Sequence, residues 1–179
     1  MAYSKISLGD RAPQVINAIV EIPKGSHNKY EYDEEMDEIR LDRVLHSPLY
    51  YPADYGFIPH TRSDDGDHMD ILVFVSGAVF PGCIVSVRPI GVLDMEDESG
   101  RDWKIIAVAE KDPRQHRYEN IEDIDDSYKN EIRHFFEQYK MLENKWVKVN
   151  GYLGKEDAYR LINEAQDKFA REKNDTAAV

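Results

Sequence analysis

The chain has 179 residues, 41% hydrophobic and 32% charged, which is enough for one domain with a substantial core, so we expect a single domain over residues 1–179. Its formal net charge of −12 argues against broad binding to nucleic acid or to anionic membranes, because both depend on a basic surface. No apolar run reaches the ~18 residues of a membrane helix, residues 1–11 lack the apolar stretch of a secretory signal, and the single cysteine, Cys83, excludes a disulfide framework. These features predict a soluble cytoplasmic protein.

Strands and helices are predicted from apolar periodicity and from the turn residues that interrupt it. In chain order, the predicted strands cover residues 15–22, 29–33, 38–44, 71–75, 83–88, 103–109 and 146–152. Two helices with apolar residues at helical spacing are predicted over residues 126–142 and 155–172. Several short strands combined with two helices predict an α+β fold built on a small antiparallel barrel or sheet.

Two acidic segments abut predicted strands. The first, DDGDHMD at residues 64–70, has four carboxylates in seven residues, and the second, DMEDESGRDWK, spans residues 94–104. Two carboxylates about 5 Å apart repel each other by roughly 3 kcal/mol at an effective dielectric near 20, and a bound cation would offset that repulsion. Carboxylate oxygens suit Mg²⁺ or Mn²⁺. From spacing alone, however, two solvated turns explain these segments equally well.

Several familiar site motifs are absent from the sequence. An EF-hand loop counted from Asp65 would have Asp70 and Ser76 where Gly and Glu are required. The chain contains no HExxH, CxxC, GxxxxGK[ST] or GxSxG pattern. Lysine, arginine and tyrosine residues nevertheless occur on the predicted strands and at the end of the first predicted helix, where they could supply cations and hydroxyl donors beside the carboxylates. Together, these groups are typical of a site for a metal-bound phosphate substrate.

Five sequence blocks resemble the soluble inorganic pyrophosphatases of the magnesium-dependent, bacterial type (family I), and they occur in the same order. The blocks are EIPKGSHNKYEYD, RLDRVLHSPLYYPADYGFIPHT, DDGDHMDILVFV, RPIGVLDMEDESGRDWKIIAV and EIRHFFEQYK, between about Val15 and Gly151. The resemblance implies a five-stranded, OB-like antiparallel barrel with two packed helices. It also implies hydrolysis of pyrophosphate to two orthophosphates by a metal-activated water, with several Mg²⁺ ions per site and Mn²⁺ as a substitute. By the same resemblance, we expect a homohexamer.

The resemblance further implies roles for individual residues. Four carboxylates would hold the metal ions: Asp65, Asp70, Asp97 and Asp102. Two glutamates would act through metal-bound waters: Glu21 and Glu31. Six cationic or phenolic side chains would contact the phosphates: Lys29, Arg43, Tyr55, Lys104, Tyr139 and Lys140. Asp67 would take the proton from the attacking water. Four positions depart from the family pattern: His68 stands where proline is expected, Asp94 where a basic residue is frequent, His27 where arginine is frequent, and Ala109 where proline is frequent.

Three other functions compete with this interpretation. A barrel that binds single-stranded nucleic acid would need a basic groove with stacking aromatic residues, which the net charge of −12 opposes. An acidic calcium-binding protein is weakened by the failed EF-hand counts. A phosphatase that forms an aspartyl-phosphate could use Asp65 and Asp67 as a DxD motif. In that class an apolar strand leads into the motif, whereas here the apolar strand follows it at residues 71–75.

Overall fold

The computed structural model describes residues 2–177, and eight strands and two α-helices lie within them. The strands are β1 (Ile16–Ile22), β2 (Asn28–Asp33), β3 (Glu38–Val44), β4 (Asp54–Ile58), β5 (Met69–Phe74), β6 (Ile84–Asp97), β7 (Gly100–Ala109) and β8 (Val147–Gly154). The helices are α1 (Asp126–Gln138) and α2 (Lys155–Ala177). Among the described residues, neither helix is both long enough and apolar enough to span a bilayer.

Five strands form a closed ring in the order β1-β4-β5-β7-β6, because β1 also pairs with β6. This ring confirms the predicted α+β fold with a small barrel, although its shape is only roughly that of a barrel. The sheet is mixed rather than purely antiparallel, since β5 and β7 run parallel from Ile71 opposite Ile105 to Phe74 opposite Val108. A closed ring with an odd number of strands cannot be antiparallel throughout, and here the other four pairs of the ring are antiparallel. Strand β8 is added outside the ring on the distal half of β6.

Alternate residues of the ring strands belong to two apolar clusters, as the twofold period of a strand requires. Leu72 and Ile106 pack with Phe136 of α1 in one cluster. Ile71 and Ile105 belong to the other cluster, to which α2 contributes Ala158, Leu161, Ile162 and Ala165. The two predicted helices are therefore amphipathic and cover different faces of the ring strands.

Both helices have boundaries that differ from the predicted ones at their C-terminal ends. Helix α1 ends at Gln138, and the residues from Met141 to Glu143 form a separate 3₁₀ turn. The chain leaves that turn through Asn144, which has a left-handed conformation with φ of 58°. Tyr139 and Lys140 therefore lie at the end of α1 rather than inside a longer helix. Helix α2 begins directly after β8 and continues to Ala177, beyond the predicted end at residue 172.

Strands β2 and β3 form a two-stranded hairpin that is separate from the ring. One hydrogen bond between the hairpin and the ring runs from the backbone N–H of Tyr32 to Glu21 Oε1 of β1 at 2.6 Å. At the hairpin turn, Asp37 accepts hydrogen bonds from the Ser4 backbone N–H at 3.1 Å and from the Tyr32 hydroxyl at 2.9 Å. The hairpin is thus attached to one end of the ring by polar contacts.

Candidate active site

A cavity of about 790 Å³ lies between the hairpin, the ring and the end of α1. Its walls include every residue for which the sequence predicts a role: Glu21, Lys29, Glu31, Arg43, Tyr55, Asp65, Asp67, Asp70, Asp97, Asp102, Lys104, Tyr139 and Lys140. These residues come from seven different parts of the chain, so their meeting in one cavity is a property of the fold and not of sequence proximity. The roles assigned to them remain predictions.

The parallel pairing of β5 and β7 produces the most deeply buried charged group of the cavity. Asp70 and Lys104 each precede the paired residues Ile71 and Ile105, and Asp102 lies on the same face of β7 as Lys104. The Lys104 ammonium is 2.6 Å from Asp70 Oδ2 and 2.9 Å from Asp102 Oδ1, and the side chain is only 3% exposed. Burial alone would lower the pKa of Lys104, but the charges of Asp102 and Asp70 outweigh it and raise that pKa.

Burial, with repulsion between carboxylates as the next cause, raises the pKa of two acidic groups of the cavity. Burial, followed by the charge of Asp70, raises the pKa of Glu21 to about 8, although the N–H of Tyr32 opposes the shift. Burial also raises the pKa of Asp67, and the charges of Asp65 and Asp70 add to that rise. The crowding of negative charge noted in the sequence is therefore present in the folded protein.

The loop before β5 is folded by local hydrogen bonds. Thr61 is central to it, because its hydroxyl donates to the Ile58 carbonyl at 2.6 Å and accepts from the Met69 N–H at 2.9 Å. The Ser63 N–H donates to the Asp67 carbonyl at 2.8 Å, and the Asp67 N–H donates to Asp65 Oδ1 at 3.0 Å. These contacts fold the acidic segment into a compact turn at the mouth of the cavity.

The cations at the rim of the cavity are paired with carboxylates. On the hairpin, the ammonium of Lys29 contacts Glu31, and the guanidinium of Arg43 lies 3.0 Å from Glu143 Oε2. At the end of α1, the Lys140 ammonium lies 3.3 Å from Asp97 Oδ2. Burial lowers the pKa of Lys29 and raises that of Tyr139. The rim therefore offers ammonium, guanidinium and hydroxyl donors next to the acidic groups.

Divalent cations are implied by the acidic residues, and the donor set fits them. Among residues 2–177, no three His, Cys, Asp or Glu side chains converge as a ready-made set of metal ligands. The reason is visible in the contacts, since Asp70 and Asp102 are bound to Lys104 and Asp97 is bound to Lys140. The donors are all oxygens, and neighbouring carboxylates add to the burial that raises the pKa values of Glu21 and Asp67. Such a set suits a hard divalent cation.

Sequence reasoning missed several residues that line the same cavity, among them Glu34, Arg62 and Lys145. Arg62 is the most informative of them, because it contacts the acidic turn directly through the Gly66 carbonyl at 2.5 Å. The sequence does carry a signal for Arg62. It is the only permanently charged cation in the segment PHTRSDDGD, directly before the acidic residues.

Comparison with known proteins places the chain among relatives of one kind. A family model described as inorganic pyrophosphatase matches residues 18–170. The inorganic pyrophosphatase of Thermus thermophilus is 47% identical over 156 residues, which are 86% of this chain and 89% of that protein. The inorganic pyrophosphatase of Sulfolobus acidocaldarius is 51% identical over 152 residues, which are 83% of this chain and 87% of the relative.

Solved structures agree with the sequence relatives. The crystal structure of the Thermus thermophilus inorganic pyrophosphatase superposes with a TM-score of 0.92 at 42% identity, covering 95% of this chain and 99% of that chain. The inorganic pyrophosphatase of Helicobacter pylori superposes with a TM-score of 0.89 at 41% identity, covering 93% and 99% of the two chains. Both matches cover more than nine-tenths of this chain. This chain therefore belongs to the inorganic pyrophosphatase family.

Proposed function

We propose that this protein hydrolyses inorganic pyrophosphate to two orthophosphates by direct attack of water on phosphorus. The observation that carries the proposal is the cavity of about 790 Å³ in which cations and acidic groups alternate. Pyrophosphate is a small and highly charged anion, and a site for it needs cationic and hydroxyl donors for its oxygens. Membership of the family supports the choice of pyrophosphate over other phosphate compounds.

The phosphates would be bound by the side chains at the rim of the cavity. Arg43 presents a planar guanidinium that suits two oxygens of one phosphate, while Lys29 and Lys140 act as point charges. In the free protein these cations contact carboxylates, so phosphate oxygens would compete with Glu143, Glu31 and Asp97 for them. Three buried donors complete the proposed contacts deeper in the cavity: Tyr55, Lys104 and Tyr139.

Divalent cations would be held by Asp65, Asp70, Asp97 and Asp102, with Glu21 and Glu31 acting through their bound waters. Mg²⁺ is the proposed ion and Mn²⁺ its substitute, because the available donors are all oxygens. When bound, such ions lower the pKa of water and neutralise charge on phosphate. Support comes from the donor set and from the raised pKa values of Glu21 and Asp67, which cations would relieve.

Asp67 is the proposed general base. Its backbone N–H donates to Asp65 Oδ1 at 3.0 Å, and the residue lines the cavity from the acidic turn. Burial and two neighbouring carboxylates raise its pKa, which makes it a better proton acceptor than an ordinary aspartate. The proton of the attacking water would therefore pass to the Asp67 carboxylate.

We further propose that residues 1–179 form one domain that works in the cytoplasm as a homohexamer, without nucleic-acid or membrane partners. The net charge of −12 supports the exclusion of those two partners. Exposed apolar side chains near the end of α1 are available for self-association: Met141, Leu142 and Trp146. Light scattering on the purified protein would measure the assembly.

Phosphate release from pyrophosphate, with and without Mg²⁺, tests the proposed activity. The mechanism is tested by acid quenching during turnover of ³²P-labelled pyrophosphate, followed by precipitation of the protein. Direct attack of water leaves no label on the protein. Stoichiometric, hydroxylamine-labile label on Asp65 or Asp67 would instead establish an aspartyl-phosphate intermediate.

A further inference from the structure

Arg62 connects three separate parts of the chain around the acidic turn. Its Nη1 donates to the Gly66 carbonyl of the turn at 2.5 Å and to Glu34 Oε1 at the tip of the β2–β3 hairpin at 2.8 Å. Its Nε donates to Glu172 Oε2 of α2 at 2.8 Å. One guanidinium therefore binds the turn, the hairpin and the C-terminal helix at the same time.

The backbone and the surroundings of Arg62 strengthen this connection. The Arg62 N–H donates to the Ala165 carbonyl of α2 at 2.9 Å, and the guanidinium carbon lies 5.4 Å from the centroid of the Phe169 ring. The next residue, Ser63, accepts a hydrogen bond from Lys168 of α2 at 2.7 Å. The Arg62 side chain is only 14% exposed, while its partners Glu34 and Glu172 are each 46% exposed.

Side-chain packing does not constrain the acidic turn at the point that Arg62 binds, although backbone hydrogen bonds such as that from the Gly66 N–H to the Ser63 carbonyl at 3.4 Å shape it. Gly66 has φ of +96°, and no atom lies within 4 Å of the position that a side chain there would occupy, so packing does not hold the tip of the turn. His68 stands where the family pattern leads us to expect proline, and its ring stacks on Phe57 with centroids 5.1 Å apart. Proline would restrict the backbone by itself, whereas histidine leaves that restriction to side-chain contacts.

We propose that Arg62 is a positioning residue that holds the Asp67 carboxylate in register with the phosphate-binding side chains of the hairpin. The proposal rests on the function proposed above, in which Asp67 is the base. Gly66 directly precedes Asp67, and Glu34 directly follows β2, the strand that carries Lys29. By binding both, Arg62 fixes the distance between the base and the phosphate site. A lysine could not replace it fully, because an ammonium lacks the planar fork that reaches several acceptors.

The test compares Arg62→Gln and Arg62→Lys with a matched control. Arg160→Gln is that control, since Arg160 is 52% exposed and pairs only with Asp157 and Glu164 of its own helix in the contacts among residues 2–177. Arg62→Gln should lower kcat for pyrophosphate about 10- to 100-fold, as small misplacements of a catalytic group do. It should change KM less than kcat. Arg62→Lys should fall between Arg62→Gln and wild type, and Arg160→Gln should match wild type.

Two further readouts separate positioning from a purely structural role. Amide hydrogen exchange of residues 63–68 should be faster in Arg62→Gln, at a temperature where circular dichroism shows a folded protein. Arg62→Gln should also add little to the loss of kcat in Asp67→Asn, because the two changes affect one group. Multiplicative losses in the double variant, or wild-type kcat and exchange in folded Arg62→Gln, would overturn the proposal.

A second measurement is needed if Arg62→Gln does not fold or if the wild-type protein is inactive. If Arg62→Gln does not fold, Glu34→Ala and Glu172→Ala each remove one acceptor of the same guanidinium, and each should lower kcat and accelerate exchange in the turn. Wild-type behaviour of both variants would overturn the proposal. If the wild-type protein itself releases no phosphate from pyrophosphate, the proposed function fails, and exchange of residues 63–68 still decides whether Arg62 fixes the turn.

Discussion

The groups of the cavity fall into two regions that differ in burial. On the ring strands, Glu21, Tyr55 and Lys104 are almost inaccessible to solvent, and their charges or hydroxyls are surrounded by protein. On the hairpin and the acidic turn, Glu31 and Asp67 are largely exposed and are held by a few polar contacts, although the surrounding protein still partly desolvates the Asp67 carboxylate. The cavity thus has a buried floor that resembles a protein core and an exposed rim that resembles a protein surface.

Because of this difference, the same kind of substitution should affect stability and activity differently in the two regions. A buried charge that loses its partner costs several kcal/mol of stability, because the remaining charge is left without solvent. A surface carboxylate costs little when it is neutralised. We therefore expect substitutions in the ring to change both stability and activity, and substitutions in the rim to change activity alone.

The largest expected effect is the removal of divalent cations, since their proposed ligands belong to both regions. Excess chelator should abolish phosphate release, and added Mg²⁺ should restore it. Ca²⁺ should compete with Mg²⁺ without supporting turnover, because it is larger and prefers a less regular ligand geometry. A colorimetric phosphate assay measures all three conditions. Full hydrolysis in excess chelator would contradict the proposed role of the carboxylates.

Asp67→Asn tests the rim. We expect kcat to fall about 100-fold or more, because asparagine cannot accept the proton from the attacking water. The melting temperature should not fall below that of wild type, because the change neutralises a carboxylate that is partly desolvated and repelled by Asp65 and Asp70. Steady-state kinetics and a thermal melt on the same sample measure both. Wild-type kcat would show that Asp67 is not the base.

Lys104→Met tests the ring. Its removal leaves Asp70 and Asp102 without their shared cation, so the free energy of unfolding in chelator should fall by about 3 kcal/mol. Lys148→Met is the matched control, since Lys148 is 65% exposed and pairs with Glu96 at the surface. The control should change the free energy of unfolding by less than about 0.5 kcal/mol in urea denaturation. Equal effects of the two variants would remove the distinction between the regions.

Glu21→Gln should give the smallest effect and the most specific one. The pKa of Glu21 is raised to about 8 in the folded protein, so the folded state retains a proton that the unfolded chain releases near pH 4.5. The contribution of Glu21 to stability is therefore complete below pH 4.5 and is lost as the pH rises through about 8. Glutamine keeps the acceptor for the Tyr32 N–H without a charge, so the variant should melt a few degrees higher than wild type at pH 8.5 in chelator. A difference in melting temperature that does not grow between pH 5 and 8.5 would contradict the raised pKa.

The predicted strands match three of the five ring strands closely, but β4 is missed and β6 is predicted too short. Residues 54–58 form β4, yet the segment YPADYG reads as a turn because it contains proline and glycine. Strand β6 was predicted only to residue 88, because Pro89 and Gly91 interrupt the pattern, but the chain continues through a bulge there. Local patterns indicate where extended chain begins, whereas pairing partners decide where it continues.

For the site, the sequence indicated individual residues but not the long-range contacts between them. The residues of the acidic segments could be named from the sequence because they are clustered and because five blocks resemble one family. The contacts of Arg62 could not, since they join it to Glu34 and Glu172, which are 28 and 110 residues away in the chain. Likewise, the pairing of Lys104 with Asp70 follows from the parallel register of β5 and β7, which no local pattern indicates.

The closing pair between β1 and β6 also protects the molecule from unwanted association. Strand β6 serves twice, because Ile84 to Val87 pair with β1 and Gly91 to Asp97 pair with β8. Each strand of the ring therefore has a neighbour on both sides, and within residues 2–177 the strands with a single neighbour are β8 and the two strands of the hairpin. An open edge is a template for another chain, and charged side chains discourage such addition. Lys148 on β8 and Arg40 on β3 place charge at those two exposed strands, so the fold that assembles the cavity also limits strand-by-strand aggregation.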